Sequence, residues 1–228
     1  MPAADATAAA MIETPDWADE SEQRLLKASL PHAVRVGWNR LMMAGAARDC
    51  GFTGPEAELL LPHGARDLAA LMAQRHDRIA LEALADFDPA SLKVRERIRV
   101  AALARCEAAM SDEAATRRWM GFLALRGNLP LALRLAWASA DALWRWAGDT
   151  ATDENHYSKR ALLAEILVST LAVRLASGPK AAGDHLDRRI AGVMRFERWK
   201  AGVRPGGRAA KIANALGRLR YGRAVAEV

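Results

Sequence analysis

Between two strongly apolar stretches lies a dense polar run, Asp149-Thr150-Ala151-Thr152-Asp153-Glu154-Asn155-His156-Tyr157-Ser158-Lys159-Arg160. Its far end feeds His156, Tyr157, Lys159 and Arg160 into the next apolar helix, which is the placement of a recognition edge. Catalysis finds little support elsewhere. The five histidines (His32, His63, His76, His156, His185) form no His-x-x-x-His pair and no Glu-x-x-His pair of the kind that holds zinc or a di-iron centre in a bundle. A P-loop, a Rossmann glycine run and a Gly-x-Ser-x-Gly elbow are all missing. An isolated His in such a chain reads as a surface or capping residue, so no catalytic residue, metal or cofactor is assigned.

Two other groups could bind rather than react. Trp137, Asp141 and Trp144 fall at i, i+4 and i+7, on one helical face with Leu133 and Ala140. Broad aromatic and aliphatic walls with few polar anchors suit a long apolar ligand, and an acid on that face could serve an enzyme. Asp141 can equally pair with Arg145, and spacing alone favours core packing over a ligand wall. Near the C-terminus, Ala209, Ile212, Leu216 and Leu219 make a narrow apolar stripe, with Arg208, Lys211, Arg218, Arg220 and Arg223 around it. Such a helix lies in a membrane interface, each cation contributing roughly 1 kcal/mol near an anionic surface. A solvated tail is the alternative.

The elements that position these groups read as helices throughout. About half of the 228 residues are apolar, enough for a sizeable core, and Ala and Leu dominate while Pro and Gly punctuate periodic runs. Ser21 opens a helical pattern that passes Pro31 towards Trp38; a second run spans 38–49, and Gly54-Pro55 starts a third, stopped by Pro62-His63-Gly64. Three short helices in this space suggest a helix-turn-helix-like unit over 21–65. Its third helix carries Glu56 and Glu58 and no cation, so phosphate would repel it and nucleic acid is not expected as a partner. Longer helices follow at 66–85, 91–110, 129–147, 157–176 and 182–201, with Ser111-Asp112-Glu113 and Asn128 as candidate caps. The expected division is an acidic, disordered N-terminus (1–20), the three-helix unit (21–65), a helical ligand domain (66–201) and a basic tail (202–228).

Charge supports that division. The net +6 conceals six acidic groups and no Lys or Arg in residues 1–22, against a net +9 in residues 188–228, so the basicity belongs to the C-terminus. Cys50 and Cys106 lack metal spacing, which predicts two free thiols in a reducing compartment. The N-terminus lacks the features of a signal or transit peptide, no apolar run reaches the ~18 residues of a spanning helix, and the preference for Arg over Lys points to a bacterial chain.

Taken together, Asp149 to Arg160 continuing into Ala161-Leu162-Leu163 resembles the signature of the ninth coenzyme Q biosynthesis protein family, lipid-binding accessory proteins of ubiquinone biosynthesis. Leu92-Lys93-Val94-Arg95-Glu96-Arg97-Ile98-Arg99 resembles a second family segment, and Leu186-Asp187-Arg188-Arg189-Ile190 with Val193-Met194 a third; the likeness spans roughly residues 21–200. The resemblance implies an all-α, TetR-like fold without DNA binding, a homodimer, and a cavity for isoprenoid or quinone lipid. It also implies a non-enzymatic role at the cytoplasmic face of the inner membrane, handing precursors to the demethoxyubiquinone hydroxylase. On that reading Leu133, Trp137, Ala140, Asp141, Trp144, Tyr157, Ala161, Leu162 and Ile166 wall the cavity. His156, Tyr157, Lys159 and Arg160 meet the partner; Arg208, Lys211, Ile212, Leu216, Arg218, Leu219 and Arg220, beyond the stretch of likeness, meet the membrane on the strength of their charge and apolar stripe. One departure stands out: the family commonly has Trp before the Tyr, where this chain has His156. A TetR-like ligand-responsive regulator is the alternative.

Overall fold

The computed structural model describes residues 17–149 and 154–202. The membrane-binding stripe of the tail and most of the acidic N-terminus therefore lie outside the described residues, as do residues 150–153 of the polar run. Eight α-helices make up the described chain, with no strand among them: α1 (Trp17–Val36), α2 (Arg40–Cys50), α3 (Gly54–Leu60), α4 (Ala65–Ala83), α5 (Val94–Ala108), α6 (Glu113–Leu123), α7 (Leu129–Trp146) and α8 (Glu154–Gly202). The all-α reading holds.

Local chemistry sets the ends. Asn39 caps α2, its Oδ1 accepting from the backbone of Leu41 and Met42 at 2.9 and 3.1 Å. Thr53 and Glu56 close a reciprocal capping box on α3, the Thr53 N–H donating to Glu56 at 2.8 Å. That hydrogen bond, from the backbone first and the Thr53 hydroxyl second, holds the exposed Glu56 carboxyl below its usual range. Two expected caps go elsewhere. Asp112 pairs with Arg75, and Asn128 accepts from Arg66 at 3.1 Å and donates to the Phe122 carbonyl at 2.9 Å. A side chain with a long-range partner in reach satisfies more than one orphan backbone group can offer. At the front of the chain, α1 begins at Trp17, ahead of the expected Ser21.

Two apolar clusters hold the helices. In one, Leu25 and Leu26 of α1 and Met42 of α2 pack with Leu68 and Met72 of α4 and Trp119 of α6, reached also by Leu171 of α8. The other joins Ile98 of α5 and Leu143 of α7 to Leu163, Ile166 and Leu186 of α8. Burying each such leucine contributes about 1.5–3 kcal/mol. The buried indoles keep their hydrogen bonds, Trp119 Nε1 donating to Ala69 O at 3.0 Å and Trp38 Nε1 to Ala115 O at 3.3 Å.

The last helix, α8, reverses. Gly178 has φ 84° and ψ −178°, a backbone state that side chains forbid, and Pro179 follows it. Ser169 and His185 lie 3.0 Å apart, and Glu165 pairs with Arg189. In an unbroken helix those partners would be about 24 and 36 Å apart along the axis at 1.5 Å per residue, so the two arms must form an antiparallel hairpin. By length and composition alone the helix His156–Arg195 contains an 18-residue window, of mean hydropathy 1.6, that could cross a membrane. This corrects the expectation that no stretch is apolar enough. Glu165 and Arg174 interrupt the run, and both are absorbed by ion pairs, Arg174 meeting Glu107 at 3.0 Å. With Leu163, Ile166, Leu167 and Leu171 buried and Leu162 and Val168 exposed, the first arm packs one face against the core.

Candidate functional site

The polar run and the tryptophan face meet in a seam between α7 and the start of α8. Arg160 is the seam's centre, with its side chain only 3 % exposed. Its Nε donates to Asp141, and its Nη1 donates to Asp149 at 3.1 Å and to the His156 carbonyl at 3.3 Å. Lys159 adds a 2.7 Å bond to Asp149 and sits 5.4 Å over the Trp144 ring, while Trp144 Nε1 donates to Lys159 O at 3.0 Å. Burial alone would raise the Asp149 carboxyl; the hydrogen bonds from Lys159 and Arg160 outweigh it and hold the group below the usual Asp range. Arg160 therefore does not face a partner, as the sequence suggested. A buried guanidinium between two part-buried carboxylates stabilises the seam instead.

Outside the seam an aromatic edge remains. Tyr157 is 65 % exposed, its ring 6.1 Å from Trp137 and 5.2 Å from His156. Below it along α7 and α8, Leu133, Leu129 and Val168 are also exposed, so the edge continues into an apolar face.

Two apolar cavities flank α7. The larger, about 340 Å³, lies among α4, α5, α6, α7 and α8, with Trp119, Leu123, Leu135 and Leu171 in its walls and Leu129, Leu133 and Val168 at its exposed rim. The smaller, about 240 Å³, lies between α5 and the two arms of α8, against Trp144, Leu162, Ile166 and Ile190. The residues expected to form one lipid wall are thus divided. Leu133 lines the first cavity, and Trp144, Leu162 and Ile166 line the second. Trp137 is half-buried beside Tyr157, and Ala161 is exposed. Ala140 is fully buried in the second cluster, and Asp141 is held by Arg160 and Arg145. The cause is helix geometry: Leu133 and Trp144 are eleven residues, or about 16 Å, apart along α7, so one face of that helix serves two chambers.

Sequence reasoning passed over the polar end of the larger cavity. Arg105 and Ser139 line it, and both meet Asp77: Arg105 Nε donates to Oδ1, and Ser139 Oγ lies 2.7 and 2.9 Å from the two carboxylate oxygens. Next along α4, His76 is fully buried, edge-on to Trp119 at 5.7 Å, and neither ring nitrogen has a hydrogen-bond partner among the described residues. This overturns the surface reading of that histidine. Burial, with Arg105 and Arg75 adding repulsion, lowers its pKa to about 2, so it is neutral. The signal was present, since His76 stands four residues from both Met72 and Ala80 on the buried face of α4. Among the described residues no three His, Cys, Asp or Glu side chains group as a metal site. Cys50 and Cys106 are free thiols, with burial first and Glu107 second raising Cys106 to about 11.

Residues 129–197, covering α7 and most of α8, match the model of the COQ9 family. The chain is 26 % identical over 181 residues to the mitochondrial ubiquinone biosynthesis protein COQ9-B of Xenopus laevis, covering 72 % of this chain and 58 % of that protein. With the mitochondrial ubiquinone biosynthesis protein COQ9 of Homo sapiens it shares 25 % identity over 163 residues, 69 % of this chain and 51 % of that one. The chain spans about half the length of the curated relatives it matches. The family resemblance read from the polar run is therefore correct.

Proposed function

From the match of residues 129–197 to the COQ9 family, we propose that this protein is a non-enzymatic lipid-binding accessory protein of ubiquinone biosynthesis. It takes up a polyprenylated quinone precursor at the membrane and presents it to the demethoxyubiquinone hydroxylase. One observation supports this most: the 340 Å³ cavity, apolar but for its Arg105–Ser139 end, opens beside exposed Leu129 and Leu133 within that stretch. Its volume lies in the range of small-molecule sites. Moving an isoprenoid from bilayer to cavity gains little hydrophobic free energy, because both surroundings are apolar. The protein therefore works by exchange and not by tight capture. The aromatic edge of His156 and Tyr157, backed by Trp137, is the surface that meets the hydroxylase; His156 in place of the family's Trp makes that contact more polar. The basic tail holds the protein as a homodimer to an anionic leaflet.

Gene deletion with complementation tests this reading. Loss of the gene should lower ubiquinone and accumulate a demethoxy precursor. Wild-type protein should restore synthesis, and Ala136→Trp, which fills the cavity from α7, should not. Undiminished ubiquinone in the deletion strain, or full rescue by Ala136→Trp, would remove this role.

A further inference from the structure

The larger cavity is not uniformly greasy, and its one polar end carries information about what enters. Arg105 on α5 is buried, its side chain 8 % exposed. Only Nε is used, on Asp77; no described residue accepts from Nη1 or Nη2, neither atom is among the sealed unpartnered ones, and the Arg105 side chain is one of those lining the cavity. Ser139 of α7, also buried, gives its hydrogen to the same carboxylate and keeps its lone pairs. The end of the chamber thus offers two strong donors from a guanidinium whose charge Asp77 already balances.

Resting on the lipid-binding reading above, we propose that Arg105 selects an apolar ligand bearing a neutral oxygen acceptor (ketone, quinone, ester or ether) and that this oxygenated end is seated innermost. The electrostatics decide against an anion. A carboxylate head would place a second negative charge beside Asp77 in an apolar, part-enclosed chamber, where an uncompensated charge is costly. A neutral carbonyl accepts from Nη1 or Nη2 without that cost, and the bond to a charged donor is stronger than to a neutral one. Direction follows from burial. Arg105 and Ser139 are inside, while Leu129, Leu133 and Val168 at the rim are exposed. Space sets the length: 340 Å³ holds on the order of ten groups of about 30 Å³ each. A longer chain runs out over the rim, so the oxygenated end is shielded from water until exchange.

The test is displacement of Nile red from the full-length protein by 2-decanone, decane and decanoate at pH 8. In a purely apolar chamber an unpaired carbonyl costs about 2 kcal/mol or more, so decane would bind roughly thirtyfold tighter than 2-decanone. The anchor instead predicts that 2-decanone binds at least as tightly as decane, and that decanoate binds at least about tenfold more weakly than 2-decanone. Exchanging the ion pair for a neutral one, Asp77→Asn with Arg105→Gln, should weaken 2-decanone about tenfold and leave decane unchanged. Decane winning by thirtyfold, or decanoate matching 2-decanone, sinks the anchor while leaving lipid binding intact. No displacement by any of the three sinks both. If the double variant fails to fold, the wild-type comparison alone still decides.

Discussion

At the scale of single residues, folding strips His76 of hydration and returns no hydrogen bond among the described residues. An orphaned buried polar group costs about 1–3 kcal/mol, whereas phenylalanine would keep the edge-on contact with Trp119. His76→Phe should therefore raise thermal stability at pH 7. The gain should widen in acid, because the unfolded chain protonates His76 below about pH 6.5 while the folded chain holds it neutral down to about pH 2. Wild-type stability is then full above pH 6.5 and falls by about 1.4 kcal/mol per pH unit below it from this group. Denaturant titrations of both proteins at pH 7 and 5 should show about 2 kcal/mol of extra separation at pH 5; parallel shifts would deny the buried neutral state. Arg160 makes the opposite case. Arg160→Met leaves Asp141 only the exposed Arg145 and Asp149 only Lys159, and losing charged hydrogen bonds in a part-buried site costs about 1.5–3 kcal/mol. A large fall in melting temperature is expected, where a surface contact residue would cost almost nothing. Sequence spacing identified Arg160 as special but gave it the wrong neighbours, because Asp149 and Asp141 become its partners only when α7 and α8 dock.

Element by element, most boundaries were readable because their causes are local. Gly51, at φ 76°, ends α2, Pro55 opens α3, and the Ser177-Gly178-Pro179 stop divides α8. What local rules could not supply is how α8 folds back, since that rests on Ser169 with His185 and Glu165 with Arg189, pairs distant in sequence. Gly178 is the hinge. A Cβ there would meet nothing within 4 Å, so Gly178→Ala is penalised by backbone conformation alone, about 1–3 kcal/mol for so rare a state. We expect a lower melting temperature with unchanged helical signal, and faster hydrogen exchange in the second arm than in α4. Gly45 illustrates the other use of glycine: a Cβ would come within 2.5 Å of the His32 ring. His32 bridges Asp49 at 2.7 Å and Arg35 at 2.9 Å, so Gly45→Ala should loosen α1 from α2.

For the whole molecule, the helical class was legible because it follows from composition and periodicity. The division of one tryptophan face between two chambers was not, because it depends on which neighbours fill each side of α7. The same packing places the aromatic edge next to the mouth of the larger cavity. Tyr157→Ala should accordingly leave lipid content unchanged while weakening hydroxylase capture in a pull-down, separating the edge from the chamber. Lipid binding is the claim on which the rest depends, and native mass spectrometry of freshly purified protein, followed by lipid extraction, tests it most directly. About one isoprenoid, quinone or phospholipid per subunit is expected on the wild-type protein and none on folded Ala136→Trp. A wild-type protein that is fully folded and empty, or a filled variant that carries the same lipid, would contradict it.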